Sequence, residues 1–471
     1  MTTDLTSALE QPALGLGHNT TDVARFVDHL LSLPDHEAAR INPFNFAERA
    51  GLQPDTAINL FVLGTRQGFF DLEWGMVCPG CAAIMQRAPS MDQIAEEHAH
   101  CAFCDIDVES YLDDTVEVTF SYVPAGHTLD LHADFGAYRH YYTSSSHPLR
   151  NFFTEYQSRN RASHIQLAPG EQTVWTVPVD ADDRYRVMTL EAHSAFDIVG
   201  HAEGGDTEAW IELNANGFSK RVLELAAGEA HITLSNQTEN PAWLNMVRMR
   251  PQEIIKVLET QDRTLGPRLT GKHLLANQTF RDSFSLDDLA PDLKLKLRSL
   301  TLLFTDLKGS TALYDREGDL AAYRLVQDHF VALKDVVRAH SGALVKTMGD
   351  AVMAAFPDGK DGARAAVDMM AAMQRIKGNR STDDVGLKVG LHSGPALAIN
   401  SGRDVDYFGQ TVNIAARVQG LADEGEICIS RALAETDGIG AVLAEAGYAG
   451  QAEIAHLKGV SSDEEIMRYR L

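Results

Sequence analysis

Basic side chains are scarce: 41 lysines and arginines stand against 66 aspartates and glutamates, a formal net charge of −25. A surface that negative repels phosphate-rich partners, which argues against broad contact with nucleic acid or an anionic bilayer while leaving room for one local basic site. Long apolar runs are missing too. No stretch reaches the roughly 18 residues that a membrane-spanning helix needs. The opening MTTDLTSALEQPALGLGHNT has no basic segment, its first positive side chain being Arg25, so it does not read as a secretory signal. These absences predict a cytoplasmic protein with no membrane span. Cysteine is sparse as well, and five in 471 residues cannot make a disulfide scaffold.

With 44% hydrophobic and 23% charged residues, what remains is an ordinary globular composition spread over a chain too long for one core. The expected fold class is multidomain α+β. Residues 1–20, polar and small, read as a flexible leader. Residues 21–77 read as winged-helix-like. Val23, Phe26, Val27, Leu30 and Leu31 form a helical stripe ended by Pro34, and NPFNFAERAG and PDTAINLFVLGTRQG are two more helices. FFDLEWGMV then alternates as a strand. Residues 111–250 read as a β-sandwich-like regulatory domain, because TVEVTFSYV, TVWTVPV, YRVMTL, AWIEL and HITLS are short runs separated by turn signals. Residues 251–297 form a mixed connector, and 298–471 alternates strands with long helices.

Four of the cysteines fall in CPGC (78–81) and CAFC (101–104), with 19 residues between, inside a zinc-ribbon-like segment at 78–110. Each pair makes a turn that aims two thiolates at one tetrahedral metal. In a reducing compartment this predicts a structural Zn²⁺ on Cys78, Cys81, Cys101 and Cys104, with a redox- or metal-sensing role as the alternative. A winged helix followed by a zinc ribbon raises DNA binding. The third helix carries only Arg66 as a basic residue, however, which favours a scaffold, sensor or protein contact. His132, His140 and His147 read as surface or packed histidines, with the lining of a ligand site as the alternative.

The last third opens on 298-RSLTLLFTDLKGSTALY-314, an apolar strand running into Asp306 and then a Gly309-Ser310-Thr311 turn. GALVKTMGDAVMAAF (342–356) reads as a hairpin with Gly349-Asp350 at its tip. Set beside the first strand, it would bring Asp306 and Asp350 together. Two close carboxylates repel unless cations lie between them, and hard oxygens suit Mg²⁺ or Mn²⁺. Amides of the turn can cradle an anion such as a triphosphate. In DVDYFGQTVNIAARVQG (404–420) a helix places Asn413 and Arg417 on one face, suited to ribose and phosphate contacts.

FTDLKGST, VKTMGDAVMAAF, LKVGLHSGPA and DYFGQTVNIAARV, in that order, resemble the class III nucleotidyl cyclase catalytic domain over about 298–435, and LKGV (457–460) is similar to its last strand. The resemblance implies a ferredoxin-like α/β domain at 298–471 that works as a head-to-tail homodimer. It implies two Mg²⁺ or Mn²⁺ per site on Asp306, Asp350 and the Leu307 carbonyl. It makes Lys346 and Asp406 the base-reading pair, Asn413 the ribose-orienting residue and Arg417 the transition-state arginine. Phe304, Gly309, Ser310, Thr311 and Lys458 become further substrate-binding positions.

Lysine only donates and aspartate only accepts, which matches the N1 acceptor and amino donor of adenine; guanine presents the reverse. The sequence therefore reads as an adenylate cyclase acting on ATP, its front half answering to an unidentified small-molecule or protein regulator. A guanylate cyclase and a non-catalytic nucleotide- or DNA-binding regulator are the competing readings. His392 and Cys428 read as interior residues.

Overall fold

Leu5, Leu9 and Ala13 recur every four residues and are fully buried along one side of a helix, Thr2–Gly15. The expected flexible leader is thus an ordered part of the core; the polar residues between those three hide the stripe. The structure is a computed structural model that describes the whole chain except residues 1, 90–93, 95–97, 124–134, 263, 285–293, 310–317, 381–384, 402–403 and 458–463. Among the described residues no helix is long and apolar enough to cross a membrane.

Helices Thr20–Ser32, Pro43–Ala50 and Pro54–Arg66 and the strand Phe70–Val77 follow in the expected order. Asn19 and Asn42 cap the first two by accepting the Asp22 and Phe44 amides. The sheet differs from the expectation. Phe70–Val77 pairs with Ile84–Ala88 on one side and with Val116–Tyr122 on the other. TVEVTFSYV therefore closes the front sheet instead of opening the sandwich, and Phe120 stacks on Phe61 with ring centroids 4.9 Å apart. Helix Pro54–Arg66 is buried without a break from Thr56 to Gly64. That stretch has no free face to enter a DNA groove.

The sandwich begins only at Arg161. Its four-stranded sheet runs Gly217–Phe218, Glu208–Asn214, Gly228–Asn236, Gln172–Val179. Its five-stranded sheet runs Val222–Ala226, Ser194–His201, Arg184–Thr189, Ala242–Arg248, Arg161–Leu167. Trp175, Tyr185, Phe196, Ile211 and Ile232 are among the residues that fill the space between them. Two helices, Phe135–Tyr142 and Arg150–Asn160, precede it inside the region read as β-sandwich-like. Their aromatic residues favour strands in isolation, but tertiary packing of Tyr138 and Tyr142 against Leu190 and Trp243 wins.

In the last third the sheet order is Ala343–Met348, Ala351–Phe356, Lys294–Lys308, Gly386–Ser401, Ile427–Ser430, Glu464–Arg470, Ala449–Ala455, with Asp404–Phe408 also on Gly386–Ser401. Leu303 and Leu307 pack against Leu325 and Leu333 of helix Asp319–Ala339 and Ala366 of helix Gly359–Arg380. Leu302 and Phe304, one residue out of phase, belong to a second core that also holds Leu274, Leu275 and Phe280.

The connector 251–297 holds the helices Pro251–Thr260, Gly271–Leu275 and Gln278–Ser283, and part of it is buried between the halves. Lys294–Lys308 slips register between Leu297 and Leu300 against Gly386–Ser401. The Arg298 and Ser299 amides at that slip donate to Asp113 Oδ1 (3.1 Å) and Oδ2 (3.0 Å), from the front half.

Candidate active site and four-cysteine centre

Thr305 pairs with Val352, so Asp306 stands one register step on, beside the turn that holds Asp350. Met348 faces Ala351 across this two-residue turn, and Gly349 has φ of 65°, a left-handed conformation suited to glycine. Asp306 and Asp350 are both half-buried. Among the described residues no lysine or arginine ion-pairs with either. Behind Asp350 lies His329, fully buried on the apolar stripe with Leu325, Val326 and Leu333. Burial pushes its pKa down to about 4 against the raising effect of the Asp350 charge, so it stays neutral at pH 7. Sequence reasoning missed His329, whose only signal was its place on that stripe.

Phe304, assigned to substrate binding, is instead a core residue, 5% exposed and aligned with Met353 and Gly390. Leu307 is buried and aligned with Leu387. Gly309 (φ 86°) follows the strand, whereas Ser310, Thr311 and Lys458 lie outside the described residues.

Lys346 Nζ lies 2.6 Å from Asp406 Oδ2, and Asp406 Oδ1 accepts the Tyr407 amide at 2.8 Å. The side chains are 41% and 19% exposed. One protomer thus brings the whole pair together unaided. Asn413 is exposed and Arg417 half-buried on helix Gln410–Leu421. A Cβ at Gly390 would lie 2.2 Å from the Gln419 backbone, so that glycine lets the helix sit directly on the sheet. Arg417 Nη1 is buried and makes no hydrogen bond among the described residues. Asn413 and Arg417 likewise make no hydrogen bond or ion pair with either acid-bearing pair among those residues. His392 is an interior residue, its Nδ1 2.8 Å from Ser430 Oγ, and Cys428 is fully buried in its strand.

The four cysteine sulfurs lie within 4.8 Å of one another. Cys78 and Cys104 Sγ are 3.9 Å apart, and Cys81 and Cys101 3.7 Å, too far for disulfides. A tetrahedron with metal–sulfur bonds of about 2.3 Å has edges of about 3.8 Å, so the donor set fits Zn²⁺. Both turns are built alike. The Ala82 amide donates to Cys78 O (3.1 Å) and the Asp105 amide to Cys101 O (2.8 Å), with left-handed φ of 69° and 56° at Ala82 and Asp105. Phe103 O accepts from Arg186 Nη1 at 2.6 Å, which ties this centre to the sandwich. His147 Nε2 donates to Pro79 O (3.0 Å) while its Nδ1 accepts the Leu149 amide, so His147 is a packing residue. Burial pushes the pKa of half-buried His140 down to about 3. His132 lies outside the described residues.

Residues 9–282 match the Family of unknown function (DUF5939), and residues 294–462 match the Adenylate and Guanylate cyclase catalytic domain. The adenylate cyclase of Anabaena cylindrica is 29% identical over 27% of this chain and 28% of its own length. Adenylate cyclase 2 of Rhizobium meliloti is 34% identical over 25% of this chain and 36% of its own. Guanylate cyclase 2G of Mus musculus is 24% identical over 49% and 21%. The chain therefore spans at most 36% of the length of these three relatives. Among solved structures, the adenylyl cyclase CyaB from P. aeruginosa is 20% identical, covering 37% of this chain and 95% of that one, with a TM-score of 0.34. The first match takes in more than half of the chain. The protein belongs to the DUF5939 family and carries, C-terminal to that region, a class III adenylate/guanylate cyclase catalytic domain.

Proposed function

We propose that the protein is an adenylate cyclase, converting ATP to cyclic AMP and pyrophosphate at a homodimer interface under the control of its N-terminal region. The Lys346–Asp406 pair carries this reading. Lys346 would donate to adenine N1 and Asp406 would accept from the amino group. Guanine would set an N1–H against the lysine and an O6 against the carboxylate. A fully buried reader can discriminate by about ten thousand. Lys346 is 41% exposed, so solvent competes and a preference of roughly ten- to a hundredfold is expected.

The attacking group is the 3′-hydroxyl, which forms a bond to the α-phosphorus as the bond to pyrophosphate breaks. Asn413 would hold the ribose for that attack. Arg417, whose Nη1 has an unmet donor, would take the negative charge that grows on the α-phosphate oxygens. Asp306, Asp350 and the Leu307 carbonyl would hold two Mg²⁺ or Mn²⁺, which supply a lowered hydroxyl pKa and neutralise the triphosphate. In the homodimer one protomer would provide those ligands and its partner the Lys346, Asp406, Asn413 and Arg417 side chains. Cys78, Cys81, Cys101 and Cys104 would hold one structural Zn²⁺, as thiolates kept reduced in a cytoplasmic location.

The test is turnover of ATP and GTP side by side by the full chain with each metal. Cyclic AMP formation with at least a tenfold advantage in kcat/KM is expected. A GTP preference would overturn the specificity, and no cyclic product from either nucleotide would overturn the enzyme.

A further inference from the structure

Two arginines among the described residues of the front half, Arg40 and Arg139, are almost completely buried, and their surroundings differ. Arg40 ion-pairs with Glu73 at 2.8 Å and with Glu117 at 2.9 Å. Arg139, 3% exposed on helix Phe135–Tyr142, has no carboxylate partner among the described residues. Its Nη1 donates to the neutral Gln157 Oε1 at 2.5 Å, and its Nε finds no acceptor. A buried guanidinium without a counter-ion is costly, and its flat fork of donors matches a carboxylate.

Arg139 faces an open hollow of about 340 Å³ bordered by the cysteine centre, the sandwich and the helices Arg150–Asn160 and Pro251–Thr260. Phe153, Tyr156, Met188, Ile254 and Leu258 supply apolar wall, and among the described residues no aspartate or glutamate lines it. Arg186, the other cation there, is already held by Asp197 and Phe103 O. The volume lies in the range of small-molecule sites, about 300–1,000 Å³. At about 30 Å³ apiece, a water's share of liquid volume, it has room for on the order of ten non-hydrogen atoms.

We propose that this hollow binds a small carboxylic acid with an apolar body, its carboxylate on Arg139 and its body against Phe153, Met188, Ile254 and Leu258. Cys81 shares the wall, so Arg139 also faces the thiolate centre. Charge balance toward the thiolates would account for the arginine alone, whereas the bound acid accounts for the arginine and the apolar space together.

The test is calorimetric titration of the zinc-loaded full chain with octanoate and with octanol, an equal-length neutral probe. Octanoate is expected to bind at least tenfold more tightly. Arg139→Met should bring the two within twofold of each other with zinc content unchanged. Leu258→Trp, which fills the hollow from the far helix, should weaken octanoate at least tenfold with zinc retained; it decides the matter if Arg139→Met fails to fold. Equal binding of the two probes by the unaltered protein would overturn the proposal. So would an Arg139→Met protein that keeps the preference, or unchanged octanoate affinity in Leu258→Trp.

Discussion

Lys346 Nζ and Asp406 Oδ2 meet at 2.6 Å although 60 positions separate them in the chain. Helix Gln278–Ser283 touches the strands of both. The Leu344 amide donates to Gln278 Oε1 at 2.7 Å, and Arg281 Nη1 donates to Val405 O at 3.1 Å. The spacing of the pair is thereby held from the front half.

Replacing Lys346 with Met should alter specificity far more than stability. A partly exposed ion pair contributes about 0.2–1 kcal/mol, so the melting curve should barely move. The ratio of ATP to GTP turnover should fall roughly tenfold or more toward unity. Steady-state rates with both nucleotides check this, and an unchanged ratio would remove Lys346 from base reading.

Asp306→Asn should silence turnover without harming the fold. The change relieves repulsion between neighbouring carboxylates, so melting of metal-free protein should hold or rise slightly. Product formation should drop at least about a hundredfold. Melting and turnover measured on the same preparation separate the two effects.

Cys101→Ser leaves three thiolates in the cysteine centre. Because four-thiolate metal sites contribute folding energy directly, bound zinc should be lost and the front half should melt roughly 10 °C lower or more. Metal content together with thermal unfolding decides this, and a zinc-free protein with the melting point of the original would refute a structural metal.

Stability should decline in mild acid. Burial pushes His273 and His392 down to about 4 and His140 to about 3, from an ordinary value of 6.5. The native state keeps them neutral while the unfolded chain takes up protons below pH 6.5. Their stabilisation is thus complete above that pH and is lost as pH falls toward 4 and 3. The slope is up to about 1.4 kcal/mol per pH unit for each histidine. Urea unfolding at pH 7, 6 and 5 measures it, and His392→Gln should flatten the slope by one proton's worth.

Features set by local spacing were legible in the sequence. The Cys78–Cys81 and Cys101–Cys104 turns close on themselves, and Gly349-Asp350 needs only its own hairpin. Choice of partner was not legible. Alternation in Val116–Tyr122 assigns its faces but cannot say which sheet it joins, and it joined the front one. Leu5, Leu9 and Ala13 show as a stripe only once a core exists to receive them. Phe304 shares a motif with Asp306, yet two residues along a strand separate the buried interior from the sheet's tip.

The slip between Leu297 and Leu300 has a bearing on engineering. Asp113 answers the two amides there, and Phe280 helps to cover the sheet beside them. Grafting the last third onto another input domain would bare that oily surface and leave two donors to water. Any chimaera needs a new lining for that surface, because residues ahead of the cyclase domain cover part of its sheet.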